Sequence, residues 1–305
     1  MSLANAILEV SKRLLGDWTT LGVLSPHVNA RAVTAIRLVY FVSLVTAVRA
    51  LSPLDFTPRW HEVAAAEALF DPLWTIMPLA TVLTYDTLVL LSYSGYLISA
   101  SLAIWFYRYR LARVVAFLGI LLFGALLGSF GKIDHNLHLL TLALFFFAVL
   151  PVGSLSSTPN AALLIAATQF AVLTTYASSG LFKVLGLVRQ VLVGPVSALD
   201  PTALGLFVSR TSTVTGAPTM LQDLIIATPS LLWSVLLVGG YTLELVAIFA
   251  VFRPRFHRLL GLALIALHAG ILATVGPDFT VQIMLVGVLF LFSPFVSSPE
   301  SSPSL

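Results

Sequence analysis

The chain has 305 residues, of which 58% are hydrophobic and 10% are charged, and its formal net charge is +3. A soluble domain covers its surface with about 25% charged side chains, so this composition excludes a water-soluble globular protein. Cysteine is absent, which excludes thiol nucleophiles, disulfides and thiolate metal sites.

Residues 1–31 precede the first long apolar stretch and predict a cytoplasmic amphipathic segment. Ile7, Val10 and Leu14 lie along one helical face, and Lys12 and Arg13 lie on another. Such a segment is expected to rest at the membrane interface.

About eight apolar stretches of membrane-spanning length follow. A spanning helix needs about 20 mostly apolar residues, and runs such as LLIAATQFAVL are apolar on every face, unlike the alternating strands of a β-barrel. The sequence therefore predicts an all-α, polytopic integral membrane bundle, with spans near 32–51, 87–107, 112–130, 137–155, 161–184, 231–252, 259–275 and 279–296.

Three further regions are predicted to lie outside these spans. Residues 52–86 form an external loop that prolines interrupt, and residues 185–230 form a longer external connection rich in Pro, Gly, Ser and Thr. A long connection without obvious periodicity is often a lid or a binding element. Residues 298–305 form a polar tail that is expected to be disordered.

The basic residues occur in short clusters between spans rather than along one face. One cluster precedes the first span, a second lies at 108–113 and a third at 253–258. Under the positive-inside rule all three are cytoplasmic, which predicts that both termini are cytoplasmic. The positive net charge is thus explained by arginine and lysine residues in cytoplasmic loops, so no nucleic-acid partner is expected. The chain is predicted to be a multi-pass protein of a bacterial plasma membrane.

The segment GKIDHNLH at 131–138 carries candidate polar groups at the predicted external face. His135 and His138 are three residues apart and share a helix face, and Asp134 lies beside them. Two histidines with one nearby carboxylate are only a weak indication of a metal site, because a zinc or non-haem iron site needs three or more ligands that converge on one point, so no metal site is predicted. Asp134 could instead cap the helix, or the group could face the bundle interior as a polar site.

The segment YASSGLFK at 176–183 ends the fifth predicted span. Lys183 could extend to the interface as a snorkelling lysine. Alternatively, it lies in a sparsely hydrated pocket and serves as a general base, with Tyr176 beside it as a ligand-binding residue.

Glu244 and His268 are flanked by apolar residues in the sixth and seventh predicted spans. Ionisable groups within a membrane usually face the bundle interior and pair with one another. The structural interpretation is a Glu244–His268 or Glu244–Tyr241 pair that ties two helices. For Arg37 in the first span, contact with lipid phosphate or pairing with Glu244 is the ordinary explanation.

The stretches GKIDHNLHLLTLALFFFAVLP, TYASSGLFKV and LHAGILATVGPDFTVQIMLVGVLFL resemble the HTTM (horizontally transferred transmembrane) family, which includes vitamin K-dependent gamma-carboxylases. Asp134-His135 looks like the family's Asn-His pair, with Asp in place of Asn. The run from Tyr176 through Gly180 to Lys183 is similar to the family's Tyr-x-x-x-Gly-x-Lys-Lys-Leu motif and lacks the first lysine. His268 and the later Phe279 resemble a third family feature.

This resemblance implies an HTTM-like transmembrane domain over residues 32–297 that acts on a quinone-like or other lipid-soluble substrate. Lys183 would be the base, His135 would stabilise or relay the developing charge, and Asp134 and His268 would complete the catalytic group. His138, Tyr176, Tyr241 and Glu244 would bind the ligand, and reduced vitamin K or another quinol is the implied cofactor.

Two other classes remain open at the sequence level. The chain could be a non-catalytic membrane subunit or a lipid-binding partner of a larger complex, in which the polar residues only fix helices and a partner protein is expected. A transporter is the third hypothesis, although the sequence shows no paired, related halves of the kind that transporters often have.

Overall fold

The computed structural model describes residues 26–49, 85–128, 137–150, 160–193, 197–215, 219–276 and 278–296. The predicted N-terminal segment lies almost entirely outside these ranges. So do nearly all of the predicted loop at 52–86, the Asp134–His135 pair and the tail at 298–305. Within the described ranges the chain is helical and has no β-strand, so the prediction of an all-α protein is confirmed.

The described ranges contain ten α-helices, numbered in chain order. Short 3₁₀ segments at Ala247–Phe252 and Pro254–Phe256 join α8 to α9, and a π-helical turn at Gly287–Leu291 continues α10. The helices are α1 Pro26–Arg49, α2 Tyr85–Phe106, α3 Arg110–Gly128, α4 His138–Val149, α5 Asn160–Val193, α6 Ala203–Thr215, α7 Gln222–Ala227, α8 Leu231–Val246, α9 His257–Thr274 and α10 Thr280–Val286.

In the part of the chain that the structure describes, four helical segments are long and apolar enough to cross a membrane: Pro26–Arg49, Ala161–Val193, Leu231–Phe252 and Pro254–Thr274. The third of these has a mean hydropathy of 2.2, yet only 17% of its most apolar window is buried inside the protein. Such a surface is stable in lipid and not in water. The chain therefore has the character of a membrane protein. Shorter apolar helices at Leu90–Phe106, His138–Val149 and Thr280–Leu291 accompany these four.

The chain divides into two compact units, and the first covers Leu24–Thr168. In this unit α2 and α3 form an antiparallel hairpin, because the chain reverses within the short turn at 107–109. Helix α1 packs against α2, where the Tyr96 hydroxyl donates to the Ser43 carbonyl oxygen at 2.9 Å. The Tyr96 ring stacks on Phe123 of α3 with 5.3 Å between centroids.

The closest approach of α2 and α3 lies at Gly119. A Cβ placed on Gly119 would stand 3.1 Å from the Tyr96 Cα, whereas one on Gly124 would meet only a Leu137 methyl group at 3.8 Å. The tight crossing of the two helices is therefore at Gly119, which faces α2.

The second unit covers Gln169–Leu305 together with the first 23 residues. It contains α5 from Gln169 onward and helices α6 to α10. The π-helical turn of this unit packs against α9, close enough at Gly261 that an added Cβ would stand 2.8 Å from the Leu291 nitrogen.

The region at 185–230, predicted as a long external connection, is mostly helical. Helix α5 continues to Val193, and the region then contains α6 and α7. Their apolar faces form a small core with the end of α9, made of Leu204, Val208, Ile225 and Val275. The Thr219 hydroxyl also donates to the Thr274 carbonyl oxygen at 2.7 Å. The prediction of an aperiodic loop was therefore wrong for this region.

Candidate functional site

One face of α5 carries the polar groups around which the candidate site is built. Tyr176, Gly180 and Lys183 are spaced by four and three residues, so their side-chain positions lie above one another on the same face of the helix. Helices α8 and α9 supply the partners of this face. All of these residues belong to the unit that starts at Gln169.

Lys183 forms an ion pair with Glu244 of α8. Its Nζ lies 2.6 Å from both Oε1 and Oε2 of the carboxylate. Glu244 is buried, whereas the Lys183 side chain is 38% exposed. Tyr241, one turn earlier on α8, places its ring centroid 5.7 Å from the same Nζ. Both sides of the ammonium group therefore face groups that favour a cation.

Gly180 allows the helices to approach closely enough for this pair. A Cβ at this position would lie 2.7 Å from the Cα of Leu245 and 2.8 Å from the carbonyl carbon of Glu244. Only glycine lets the α5 backbone lie this close to the α8 backbone at the level of Glu244. Lys183 follows Gly180 by three residues and so lies directly beside the contact.

A second polar pair joins α5 to α9. The Tyr176 Oη lies 2.6 Å from the His268 Nε2, and both side chains are buried. The Phe279 ring lies against the imidazole, with 4.9 Å between ring centroids. The His268 Nδ1 is buried and, among the described residues, has no hydrogen-bond partner.

The two pairs form one cluster rather than two separate contacts. Glu244 lies close enough to Tyr176, and Lys183 close enough to His268, for each to interact electrostatically with the other. An amine, a carboxylate, a phenol and an imidazole are thus gathered from three helices, two turns apart along α5. Proton transfer among neighbouring groups of these four kinds is ordinary acid–base chemistry.

The pairing differs from the one expected from the sequence. A Glu244–His268 or Glu244–Tyr241 tie was predicted, but Glu244 of α8 and His268 of α9 each pair with a residue of α5 instead. The Lys183 amine is held by Glu244, so snorkelling alone does not describe it. For Arg37 the predicted partner was a lipid phosphate or Glu244. In the structure its guanidinium group lies over the Tyr107 ring, with 4.9 Å between the guanidinium carbon and the ring centroid.

Three of the predicted site residues belong to other parts of the chain. Asp134 and His135 lie outside the described ranges. His138 is the first residue of α4, is exposed, and belongs to the Leu24–Thr168 unit. In the part of the chain that the structure describes, no three His, Asp or Glu side chains gather as metal ligands would.

Sequence reasoning missed a second buried polar network in the same unit. The Gln169 amide nitrogen donates to the Leu289 carbonyl oxygen and, at 3.2 Å, to the Ser293 hydroxyl. The His257 Nδ1 lies 2.8 Å from that hydroxyl, and its Nε2 lies 3.1 Å from the Ala250 carbonyl oxygen. The single glutamine inside LLIAATQFAVL was the available indication. This network satisfies backbone groups at the π-helical turn and at the 3₁₀ segment, which is a structural role.

Similarity to other proteins gives no further guide to the site. No protein-family model matches the chain, and neither the curated proteins nor the solved structures contain a significant match to it.

Proposed function

We propose that this chain is an HTTM-type membrane protein that removes a proton from a quinone-like or other lipid-soluble substrate, with Lys183 as the base. The observation that carries the proposal is the cluster of Lys183–Glu244 and Tyr176–His268 on three adjacent helices. Ionisable groups are costly within a membrane and are usually functional where they are retained. Four of them meet here on three helices.

The ion pair suggests how a paired lysine can act as a base. A substrate hydroxyl would give its proton to Nζ while Nζ gives one of its own to the Glu244 carboxylate. The products would be a substrate oxyanion beside the ammonium group and a neutral Glu244 carboxyl. The ammonium group then stabilises the oxyanion electrostatically. The Tyr176–His268 pair would hydrogen-bond a second oxygen of the substrate.

The site would lie in a bundle of about eight spans in a bacterial plasma membrane, with both termini cytoplasmic. Four spanning helices support this topology, as do the three shorter apolar helices that accompany them. The basic clusters at 108–113 and 253–258 would then face the cytoplasm.

A conservative substitution tests the base. Lys183→Arg keeps the charge and can still pair with Glu244, but a guanidinium does not give up its proton near neutral pH. Activity should fall by about 10²-fold or more, while thermal stability stays near that of the wild type. The readout is complementation of the deletion phenotype, with binding of a short-chain naphthoquinone or benzoquinone to the purified protein as a second measurement. Full complementation by Lys183→Arg would exclude the lysine base.

The close contact at Gly180 favours a second candidate, a non-catalytic membrane subunit in which the ion pair only joins α5 to α8. Exchange of the charges, Lys183→Glu together with Glu244→Lys, separates the two functions. A structural pair should regain both stability and complementation on exchange. A catalytic pair should regain stability alone, because the amine and the carboxylate have traded places relative to the substrate.

A further inference from the structure

Arg113, in the first turns of α3, is fully buried although it carries a permanent charge. Its Nη1 donates to the Tyr107 carbonyl oxygen at 3.3 Å. Its Nε and Nη2 are also buried and have no hydrogen-bond partner among the described residues. Buried polar groups are nearly always hydrogen-bonded, so these two N–H groups require an acceptor that the described protein atoms do not supply.

The surroundings of Arg113 add positive charge. Arg110 lies close enough on the same helix to repel it, the Arg37 guanidinium lies over the Tyr107 ring, and the Arg108 Nε is 3.4 Å from the Tyr107 hydroxyl. A buried cation without a counter-charge is strongly unfavourable, so this group of arginines favours an anion.

Tyr40 supplies a further donor at the same place. Its ring is fully buried, it interacts electrostatically with Arg113, and its hydroxyl has no hydrogen-bond partner among the described residues. A guanidinium edge and a phenol O–H together match an oxyanion with several acceptor oxygens. Phosphate has this character, and arginine binds it with two parallel hydrogen bonds.

The exposed side chains near Arg113 indicate that the site lies at the depth of the membrane–water interface, where phosphate groups occur. The α2–α3 turn beside Arg113 exposes Trp105, Tyr109 and Leu111, and exposed aromatic side chains concentrate where membrane lipid meets water. Lipid phosphates lie at that level.

We propose that Arg113 and Tyr40 bind a phosphate group, with Arg37 and Arg110 providing additional positive charge. The group belongs either to an anionic lipid headgroup or to a free phosphate. This site lies in the Leu24–Thr168 unit and does not depend on the function proposed for Lys183.

The test measures ligand-dependent melting of the full chain in neutral detergent. The two probes are inorganic phosphate and mixed micelles of phosphatidylglycerol, with chloride at equal ionic strength and phosphatidylcholine micelles as references. The wild type should show a saturable rise in melting temperature with at least one probe. A response to both indicates a site open to free phosphate, whereas a response to phosphatidylglycerol alone indicates a headgroup site.

Arg113→Gln keeps a polar side chain and removes the buried charge. Its melting temperature without ligand should equal or exceed that of the wild type, because an uncompensated buried cation is lost. Its affinity for the effective probe should fall by about tenfold or more, since charge-assisted hydrogen bonds are lost. Arg189→Gln removes one charge from the exposed end of α5 and should respond as the wild type does.

A wild-type protein that responds to neither probe overturns the proposal, and so does an Arg113→Gln variant that responds equally. If Arg113→Gln does not fold, Arg37→Gln decides, because it lowers the local charge without changing the buried guanidinium. A several-fold weaker affinity in Arg37→Gln supports the site, and an unchanged affinity refutes it.

Discussion

Replacement of Gly180 by alanine tests whether the close contact of α5 and α8 supports the candidate site. The added Cβ would lie less than 3.0 Å from backbone atoms of Glu244 and Leu245, a distance that Cβ atoms do not adopt. Because the opposing atoms are backbone, no side chain can rotate away, and the helices must separate by roughly 1 Å to restore ordinary contact. Overpacking of this kind costs about 1–3 kcal/mol.

Gly186 provides a matched control on the same helix. A Cβ there meets no atom within 4 Å, so Gly186→Ala should be neutral or should stabilise the helix by up to about 1 kcal/mol. The two alanine variants are therefore expected to differ by about 1–4 kcal/mol, although they make the same chemical change six residues apart.

The assay is thermal and denaturant-induced unfolding of the full chain in one detergent, followed by tryptophan fluorescence. The expected order of stability is Gly186→Ala, then wild type, then Gly180→Ala. The Gly180 variant should also lose the coupling between Lys183 and Glu244, since their 2.6 Å contact does not survive the separation. Equal stability of the two alanine variants would refute the close-contact argument.

Three further predictions concern other parts of the chain. A double-mutant cycle of Lys183→Met and Glu244→Gln should give a coupling energy of about 1–2 kcal/mol, held down by the exposure of the lysine, and additive effects would contradict the ion pair. A cysteine at the exposed Ser209 should react with an impermeant reagent from outside the cell, and labelling only after the inner face is opened would contradict the proposed topology. Hydrogen bonds from Thr202 lower the pKa of Asp200 in the folded protein. These hydrogen bonds therefore stabilise the native state at pH values above the carboxyl pKa of the unfolded chain, and the stabilisation is lost as the pH falls through the lower pKa of the folded state. Thr202→Val should raise the pKa of Asp200 in a carboxyl titration by infrared spectroscopy, and an unchanged pKa would argue against the side-chain hydrogen bond.

The helical class could be predicted from the sequence because long apolar runs leave few other structures in a membrane. The positions at which the helices end were predicted less accurately than the helical class. The fifth predicted span was ended at Val184 by the thickness of a bilayer, yet α5 continues to Val193. The thickness of the bilayer sets how many apolar residues are needed to cross it, but it does not set where a helix ends. The first strong helix-stop signal after Val184 is Gly194-Pro195, because glycine and proline at these positions end helices.

The ionisable residues of the candidate site were found from the sequence, but their partners were not. Periodicity places Lys183 on a face of its own helix, and it does not determine which level of α8 that face meets. A glycine contact fixes that level here, since Gly180 sets Lys183 opposite Glu244. The backbone of α8 occupies the space beside Gly180.

Arg113 shows a second limit of sequence analysis. The positive-inside rule counts arginines and treats all of them as solvated, so Arg113 was grouped with Arg108 and Arg110. In the fold Arg113 is fully buried, whereas Arg108 and Arg110 are exposed. Burial depends on α1 packing against the hairpin, which is a long-range contact that composition does not encode.

The ion pair between α5 and α8 also has a consequence for biosynthesis. Its two residues are separated by 61 positions, so at about 5–20 residues per second the ribosome delivers Glu244 roughly 3–12 s after Lys183. During that interval α5 carries an uncompensated cation, which opposes its release into lipid by up to about 3 kcal/mol. Stable integration of α5 therefore awaits α8, and the efficiency of membrane insertion depends on a residue that is synthesised after the helix it neutralises.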